Sequence, residues 1–262
     1  MLAGRLASTL TSVLSMNLAN NTVLLTGGAT GIGLAFAERL LAAGSQVIAV
    51  GRRADKLREA QQRVPGLLTH VADLAQPAAR VALAAWVQRE HPRLNVLFNN
   101  AGIQNRVAVA ELATSPPAWE QAHSEIAINL DAPIHLSALL LKHLQGQPGA
   151  TIINVTSGLA FTAWAAAPVY CATKAALHSF TQSLRYEAAK LGVAVVEIVP
   201  PAVNTNLSGA GQHTHGEPLA AFADSVLARL AAGELEIGYG SAETRRLAGR
   251  EQLDAYFHQL NP

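Results

Sequence analysis

Six short runs of nearly all apolar residues alternate with segments of helical spacing through the first two hundred residues of this chain. The runs are Thr22–Thr26, Gln46–Val50, Leu67–Ala72, Asn95–Phe98, Thr151–Thr156 and Val193–Val199. The intervening helical segments are Ile32–Ala43, Arg53–Arg63, Ala78–Glu90, a long helix-rich stretch from Trp119 to Leu144, and Tyr170–Leu191. A strand with one wet face alternates apolar and polar residues, whereas a strand covered on both faces is apolar throughout. The pattern therefore predicts an α/β fold: a single Rossmann-type doubly wound parallel sheet with helices on both faces. No linker rich in Pro, Gly or Ser divides the chain, so residues 16–262 are expected to form one domain. The region after Val199, with Gly209, Gly211, Gly216 and two histidines, reads as a mobile loop, then a helix and a short tail. Residues 1–15 carry one arginine, no acid and several Ser and Thr, the makings of a weak targeting peptide. Met16-Asn-Leu-Ala-Asn-Asn leads straight into the first strand, so we read them instead as a disordered N-terminal extension.

Composition narrows the function classes. Half of the residues are apolar and 14% are charged, which excludes a disordered chain. Nineteen basic residues against 18 acidic ones leave a net charge of +1, so no field of one sign is available to collect nucleic acid. The single cysteine, Cys171, cannot form an internal disulfide and points to a cytoplasmic setting. No apolar run approaches the ~18 residues needed to span a bilayer, so no membrane association is expected.

Chemistry is concentrated in two places. Thr26-Gly-Gly-Ala-Thr-Gly-Ile-Gly33 follows the first strand and opens the first helix. Gly27, Gly31 and Gly33, with Thr30 and Ile32 between them, let backbone N–H groups approach a pyrophosphate at a helix N-terminus. The second strand ends in Gly51-Arg52-Arg53 and not in the acid that would grip an NAD ribose. A guanidinium suits a 2′-phosphate, so the expected cofactor is NADP(H). The plainer alternative is that Arg52 and Arg53 only begin a solvated helix. Asp73, followed by Leu74 after the third strand, either meets the adenine edge or caps a helix. At the other end, Tyr170 and Lys174 lie four residues apart, one turn of a helix. An ammonium beside a phenol favours the phenolate and is expected to lower its pKa. Ser157, just past the fifth strand, can hold the same substrate oxygen.

Five motifs in this order resemble the short-chain dehydrogenase/reductase family, and more narrowly the DltE-like short-chain oxidoreductases. They are Thr26–Gly33, Asn99-Asn-Ala-Gly102, Asn129, Ser157 with Tyr170 and Lys174, and Pro200-Pro-Ala-Val-Asn-Thr205. Gly51-Arg-Arg53, Ile126–Leu130, Ser157–Phe161 and Leu235–Gly240 carry the narrower likeness. The resemblance implies Tyr170 as general acid/base, Lys174 lowering its pKa and holding the nicotinamide ribose, and Ser157 orienting the substrate oxygen. It implies that Asn129 holds a water linking Lys174 to solvent, and that Asn99, Asn100, Ala101 and Gly102 pack beside the adenosine half of the cofactor. Thr205 and the backbone of Val203 would bind the carboxamide. The family's usual Pro-Gly is here Pro200-Pro201, which removes an N–H and fixes φ. The family also implies a homodimer or homotetramer paired through the two long helices, where Leu177, Phe180 and Leu184 would lie on the interface or in the core.

The expected activity is hydride transfer between NADP(H) and a carbonyl or secondary alcohol. A cofactor-binding sensor or scaffold without turnover is the alternative, and a sugar-nucleotide epimerase has too little chain after Val199 for its substrate domain. Phe161 and Trp164 lie between Ser157 and Tyr170 and are either pocket wall or ordinary core; as an apolar wall, the reading preferred here, they favour a neutral, fairly hydrophobic substrate. Cys171 reads as a small hydrophobe. His213 and His215 lack a third ligand, so no metal is expected.

Overall fold

The computed structural model describes residues 16–205, 207 and 216–262. Its centre is one seven-stranded sheet, parallel throughout. The strands are β1 (Thr22–Thr26), β2 (Gln46–Gly51), β3 (Leu68–Val71), β4 (Val96–Asn99), β5 (Thr151–Val155), β6 (Ala194–Val199) and β7 (Glu236–Gly238). Their order is β3-β2-β1-β4-β5-β6-β7. The order reverses between β1 and β4, which opens a crevice beyond the carboxyl ends of those strands, where open α/β sheets bind ligands.

Helices α1 (Gly31–Ala42), α2 (Ala54–Arg63), α3 (Pro77–Glu90), α4 (Val109–Thr114), α5 (Pro116–Ile126), α6 (Ala132–Leu144) and α7 (Pro168–Ala189) connect the first six strands. A π-helical turn, Ala127–Asp131, joins α5 to α6. Among the described residues three further helices follow β6: α8 (Leu219–Ala231), α9 (Gly240–Leu247) and α10 (Arg250–Leu260).

The apolar strands divide their side chains between two cores with the period of two that a pleated strand imposes. Val23, Leu25, Val47, Ala49, Val96 and Phe98 face α1 and α8, where they meet Phe36, Leu40, Phe222 and Val226. Leu24, Ile48, Val50 and Leu97 point the other way, onto Leu83 and Val87 of α3 and Leu136 and Leu140 of α6. Each fully buried side chain of this size contributes roughly 1.5–3 kcal/mol, so the two layers fix every strand in the sheet. Burial on both faces accounts for the apolar runs of β1, β2, β4, β5 and β6, whereas β3 at the sheet edge is only half-buried and leaves Val71 56% exposed.

One sequence expectation needs correction here. The tail after Val199 was expected to hold a loop, one helix and a short end, yet it contributes a seventh strand and three helices. Glu236–Gly238 has one apolar residue, and its strand character comes from pairing Ile237 with Ile198 of β6. The expected mobile loop through Gly209, Gly211, His213 and His215 lies outside the described residues. Leu177 of α7 is buried at 1% exposure, Leu184 is core at 6%, and Phe180 packs half-buried against the layer that holds Leu184.

Candidate active site

A cleft of about 820 Å³ crosses the carboxyl end of the sheet. Of the site residues named from sequence, all but Asn99 and Asn129 line it, from the glycine turn to Thr205.

The glycine turn is built from β1 outward. Gly31 sits at φ +54°, a left-handed conformation that glycine adopts without strain, and it starts α1. A Cβ on Gly33 would lie 2.3 Å from the Gly27 carbonyl oxygen, so the helix can approach the turn only because this position has no side chain. The β4 turn is tied to the same place. Thr26 Oγ1 accepts from the backbone N–H groups of Asn100 and Ala101, each at 3.0 Å, and Asn100 Nδ2 donates to the Thr26 carbonyl at 3.0 Å. Asn99 turns away from the cleft and donates to Asn154 Oδ1 in the core at 2.9 Å. The unpaired N–H groups at the start of α1 face the cleft, no acid occupies its first turn, and the Thr30 side chain makes no capping bond. This donor set, a helix N-terminus closed by two glycines, fits the pyrophosphate of a dinucleotide.

Arg52 and Arg53, at the end of β2, reach the same end of the cleft. Both are exposed, and neither has a carboxylate partner among the described residues. Asp73 does not cap α3, whose N-cap is Gln76. It lines the cleft and accepts from the Ala75 N–H at 3.1 Å, turning the chain into α3. Leu74 beside it is buried.

At the far end, β5 delivers Ser157 and α7 delivers Tyr170 and Lys174. Ser157 caps a short 3-10 turn, Gly158–Ala160, by accepting from the Leu159 N–H at 3.1 Å. Its hydroxyl lies beside the Tyr170 phenol and lowers the cost of ionising it. The helical spacing stacks Lys174 one turn below Tyr170, with Nζ 5.7 Å from the ring centre. Nζ donates to the Val155 carbonyl at 2.8 Å.

The expected depression of the Tyr170 pKa is not found. Burial pushes the phenol well above its ordinary value, and the Ser157 hydroxyl offsets only part of this. Lys174 is itself buried and is pushed down to about 8. A proton charge that is itself destabilised by burial, and bound to Val155, does little for a phenolate. The arrangement keeps the phenol protonated, which suits a proton donor.

Asn129 is fully buried in the π turn. Its Oδ1 accepts from the Ile103 N–H at 2.9 Å, and its Nδ2 donates to the Ile103 carbonyl at 2.8 Å and to Thr173 Oγ1 at 3.3 Å. Two of these bonds clamp the strand leaving Gly102 and the third joins it to α7. The extra residue of the π turn is where this side chain leaves the helix to reach a segment 26 residues earlier. A Cβ on Gly102 would lie 3.4 Å from Asn129 Oδ1 and 3.6 Å from Lys174 Nζ, so both side chains border this glycine. The Pro200–Thr205 turn closes the cleft over α1, with Thr205 Cβ 3.4 Å from the position a Gly31 Cβ would take. The Gly158 N–H donates to the Pro200 carbonyl at 2.9 Å, so the Pro-Pro sequence is held to the Ser157 turn.

Other residues separate into wall and core. Trp164 lines the cleft, whereas Phe161 packs its ring 4.7 Å from His178 outside it. Cys171 is buried with its thiol pushed up, bonded to the backbone of Trp164, and behaves as a small packed side chain. Among the described residues no group of three metal-ligating side chains occurs, and no helix is long and apolar enough to cross a membrane. His213 and His215 lie outside the described residues.

Sequence reasoning missed Glu125. It is 1% exposed beneath the cleft, accepts from the Asn105 N–H at 3.0 Å, and feels Lys174. Nothing local marks it, because its burial is created by segments far away in the chain. Burial pushes its carboxyl up to about 7. A carboxyl raised on folding contributes stability below the unfolded value near 4.5 and loses it as pH rises through about 7. Wild-type stability is therefore expected to fall between these pH values by on the order of 3 kcal/mol from this group. Urea denaturation of Glu125→Gln across that range should show the decline flattened. An unchanged slope would remove Glu125 as its source.

The comparisons agree with this geometry. The family model for short chain dehydrogenases matches residues 21–215. An uncharacterized oxidoreductase, DltE of Bacillus subtilis, is 43% identical over 251 residues, covering 94% of this chain and 98% of that protein. A D-beta-hydroxybutyrate dehydrogenase of Cupriavidus necator is 33% identical over 190 residues, covering 71% and 72%. Among solved structures, a Burkholderia cenocepacia short chain dehydrogenase in complex with NADP superposes with a TM-score of 0.79 at 25% identity, covering 94% of this chain and all of that one. A Sphingobium yanoikuyae short-chain dehydrogenase in complex with NADPH gives 0.75 at 25% identity, covering 92% and 94%. With the parallel sheet and glycine turn in place, the chain belongs to the short-chain dehydrogenase/reductase family of oxidoreductases as a DltE-like member.

Proposed function

We propose that this protein is an NADP(H)-dependent reductase of a carbonyl compound, working in reverse on a secondary alcohol. The carrying observation is that one continuous cleft runs from the glycine turn and two unpaired arginines to the Ser157 and Tyr170 hydroxyls. A bound reduced nicotinamide supplies the hydride that the carbonyl carbon accepts. Ser157 and Tyr170 hold the carbonyl oxygen between their hydroxyls, and Tyr170 gives it the proton. Its raised pKa keeps that proton in place until negative charge develops on the oxygen. Lys174, fixed by Val155, is placed to hold the ribose hydroxyls beside Tyr170. Asn129 acts through position, keeping the Gly102–Ile103 backbone off the lysine. Thr205 and the Val203 backbone bind the carboxamide, and Asn100–Gly102 with Leu74 and Asp73 flank the adenosine half.

Preference for NADP(H) rests on Arg52 and Arg53, and the NADP and NADPH bound to two similar structures support it. Similarity to a D-beta-hydroxybutyrate dehydrogenase supports a secondary alcohol as the reduced partner. Fluorescence titration with NADPH and NADH tests the preference. Wild type is expected to bind NADPH about 10- to 100-fold more tightly, the worth of one or two charge-assisted bonds to a 2′-phosphate. Arg52→Asp should abolish that difference while leaving NADH affinity within a few-fold. Equal binding of both cofactors by wild type would overturn the preference, and binding of neither would overturn the reductase reading.

A further inference from the structure

The cleft continues past Tyr170 into a region that cofactor binding leaves over. Its walls are Gln104, Arg106, Trp164, Ser241, Arg245 and Leu260, contributed by the loop after β4, the loop before α7, and the two C-terminal helices. Apolar lining was expected here from Phe161 and Trp164. Phe161 is elsewhere, and two guanidinium groups share this lining with the tryptophan.

Arg245 is held in place from behind. The next residue, Arg246, bonds Glu243 at 2.9 Å and Glu236 at 3.3 Å, and Arg229 bonds Glu243 at 3.0 Å. This network pins α9 to β7 and sets which face of the helix looks outward. Ala242 packs against Gly158, where an added Cβ would come within 3.0 Å of its own. Arg245, one helical turn on, therefore faces the cleft, with Nη1 3.7 Å from that same Gly158 position, immediately after Ser157. It is half-buried, and burial pulls its guanidinium below the ordinary value. Unlike Arg246 it has no carboxylate partner among the described residues. Arg106 approaches from the opposite wall, its guanidinium 4.7 Å from the centre of the Trp164 ring. Stacking orients the planar group and leaves its N–H edges free.

The acid that would answer these charges is missing from the lining. Asp73, at the adenosine end, is the one carboxylate among the described residues that line the cleft. Residues 206 and 208–215 contain no Asp or Glu in sequence. A half-buried guanidinium without a partner is unfavourable unless a ligand supplies the counter-charge.

We infer that Arg245 and Arg106 form an anion-binding subsite beside Ser157 and Tyr170, so that the substrate is an oxo or hydroxy compound bearing a carboxylate or phosphoryl group. The inference rests on the proposed reductase reading for what is reduced, but the anion subsite is a property of the protein itself. The two guanidiniums bond the anion through paired N–H groups and so fix which carbonyl reaches Tyr170. A neutral ketone of the same size leaves both arginines unpaired and binds less well.

The test has a turnover arm and a binding arm. In the first, NADPH oxidation is followed with short 2-oxo and 3-oxo carboxylates and their methyl esters, and with dihydroxyacetone phosphate and dihydroxyacetone. The kcat/KM ratio of charged over neutral partner is expected to exceed about tenfold for the preferred anion, with most of the difference in KM. Arg245→Met should collapse that ratio about 10- to 100-fold, Arg106→Met in the same direction, and Arg245→Lys should restore part of it. The pair that shows the ratio, carboxylate or phosphate, identifies the anion. In the second arm, calorimetry on the NADPH-loaded protein measures binding of the same compounds. Charge-selective binding lost in Arg245→Met supports the subsite even without turnover, in which case it is the reductase reading that fails. Turnover with no preference for the charged partner, or binding of acid and ester alike, overturns the subsite and leaves the reductase reading standing.

Discussion

Replacing Tyr170 with phenylalanine is expected to lower kcat for carbonyl reduction by about 10²- to 10⁴-fold, the usual contribution of a positioned general acid. The substitution removes one oxygen. The ring, buried at 7% exposure, keeps its packing, and the hydroxyl lost lies beside Ser157. Affinity for NADPH should stay within a few-fold, because Lys174 remains anchored on the Val155 carbonyl and needs nothing from the phenol to stay there. Thermal stability should not fall, since removing a buried hydroxyl also removes its desolvation cost. The measurement is single-turnover oxidation of bound NADPH, compared with cofactor affinity and Tm on the same preparation. Near-wild-type turnover in the variant would exclude Tyr170 as the proton donor. The burial that raises the phenol adds a directional expectation. Reduction needs the protonated form and should be insensitive to pH through neutrality, whereas alcohol oxidation needs a base and should accelerate as pH rises.

Gly33→Ala is expected to weaken dinucleotide binding by about 100-fold or more, the scale of loss when a binding element is displaced by an ångström. The added Cβ would sit 2.3 Å from the Gly27 carbonyl oxygen and 2.6 Å from Asn100 Nδ2. Neither neighbour can yield cheaply. The first is backbone, and the second donates to both the Thr26 and Gly27 carbonyls. The N-terminus of α1 must therefore back away from the turn, carrying its N–H groups off the pyrophosphate. Some loss of stability is expected as well, because α1 carries Phe36 and Leu40 into the core. Gly249→Ala is the control, since a Cβ there meets nothing within 4 Å. Comparing Tm and NADPH affinity for both variants separates the effects. Undiminished affinity in a folded Gly33→Ala protein would mean that the turn does not hold the phosphates.

The sequence alone determined the layered sheet, the turn that cradles phosphate and the helix that carries Tyr170 and Lys174. Each of these is written in a few neighbouring residues. A strand buried on both faces is apolar throughout, a phosphate turn needs glycine where backbones meet, and i,i+4 spacing fixes a shared helical face. The strand boundaries moved by only a residue or so, as at Leu68–Val71 and Val96–Asn99. What escaped depends on segments far apart in the chain. β7 has no pattern of its own and exists because Ile237 finds Ile198. The helix-rich stretch from Trp119 breaks into a π turn because Asn129 bonds Ile103. Tyr170 and Lys174 do share a helical face, but their spacing does not reveal that Val155 takes the ammonium or that burial raises the phenol. Glu125 and Arg245 look in sequence like ordinary surface charges, and only tertiary packing buried the first and turned the second towards Ser157. Periodicity and turn chemistry act over a few bonds and are legible locally, whereas desolvation and charge pairing are set by whatever the fold brings alongside, and only the assembled chain decides them.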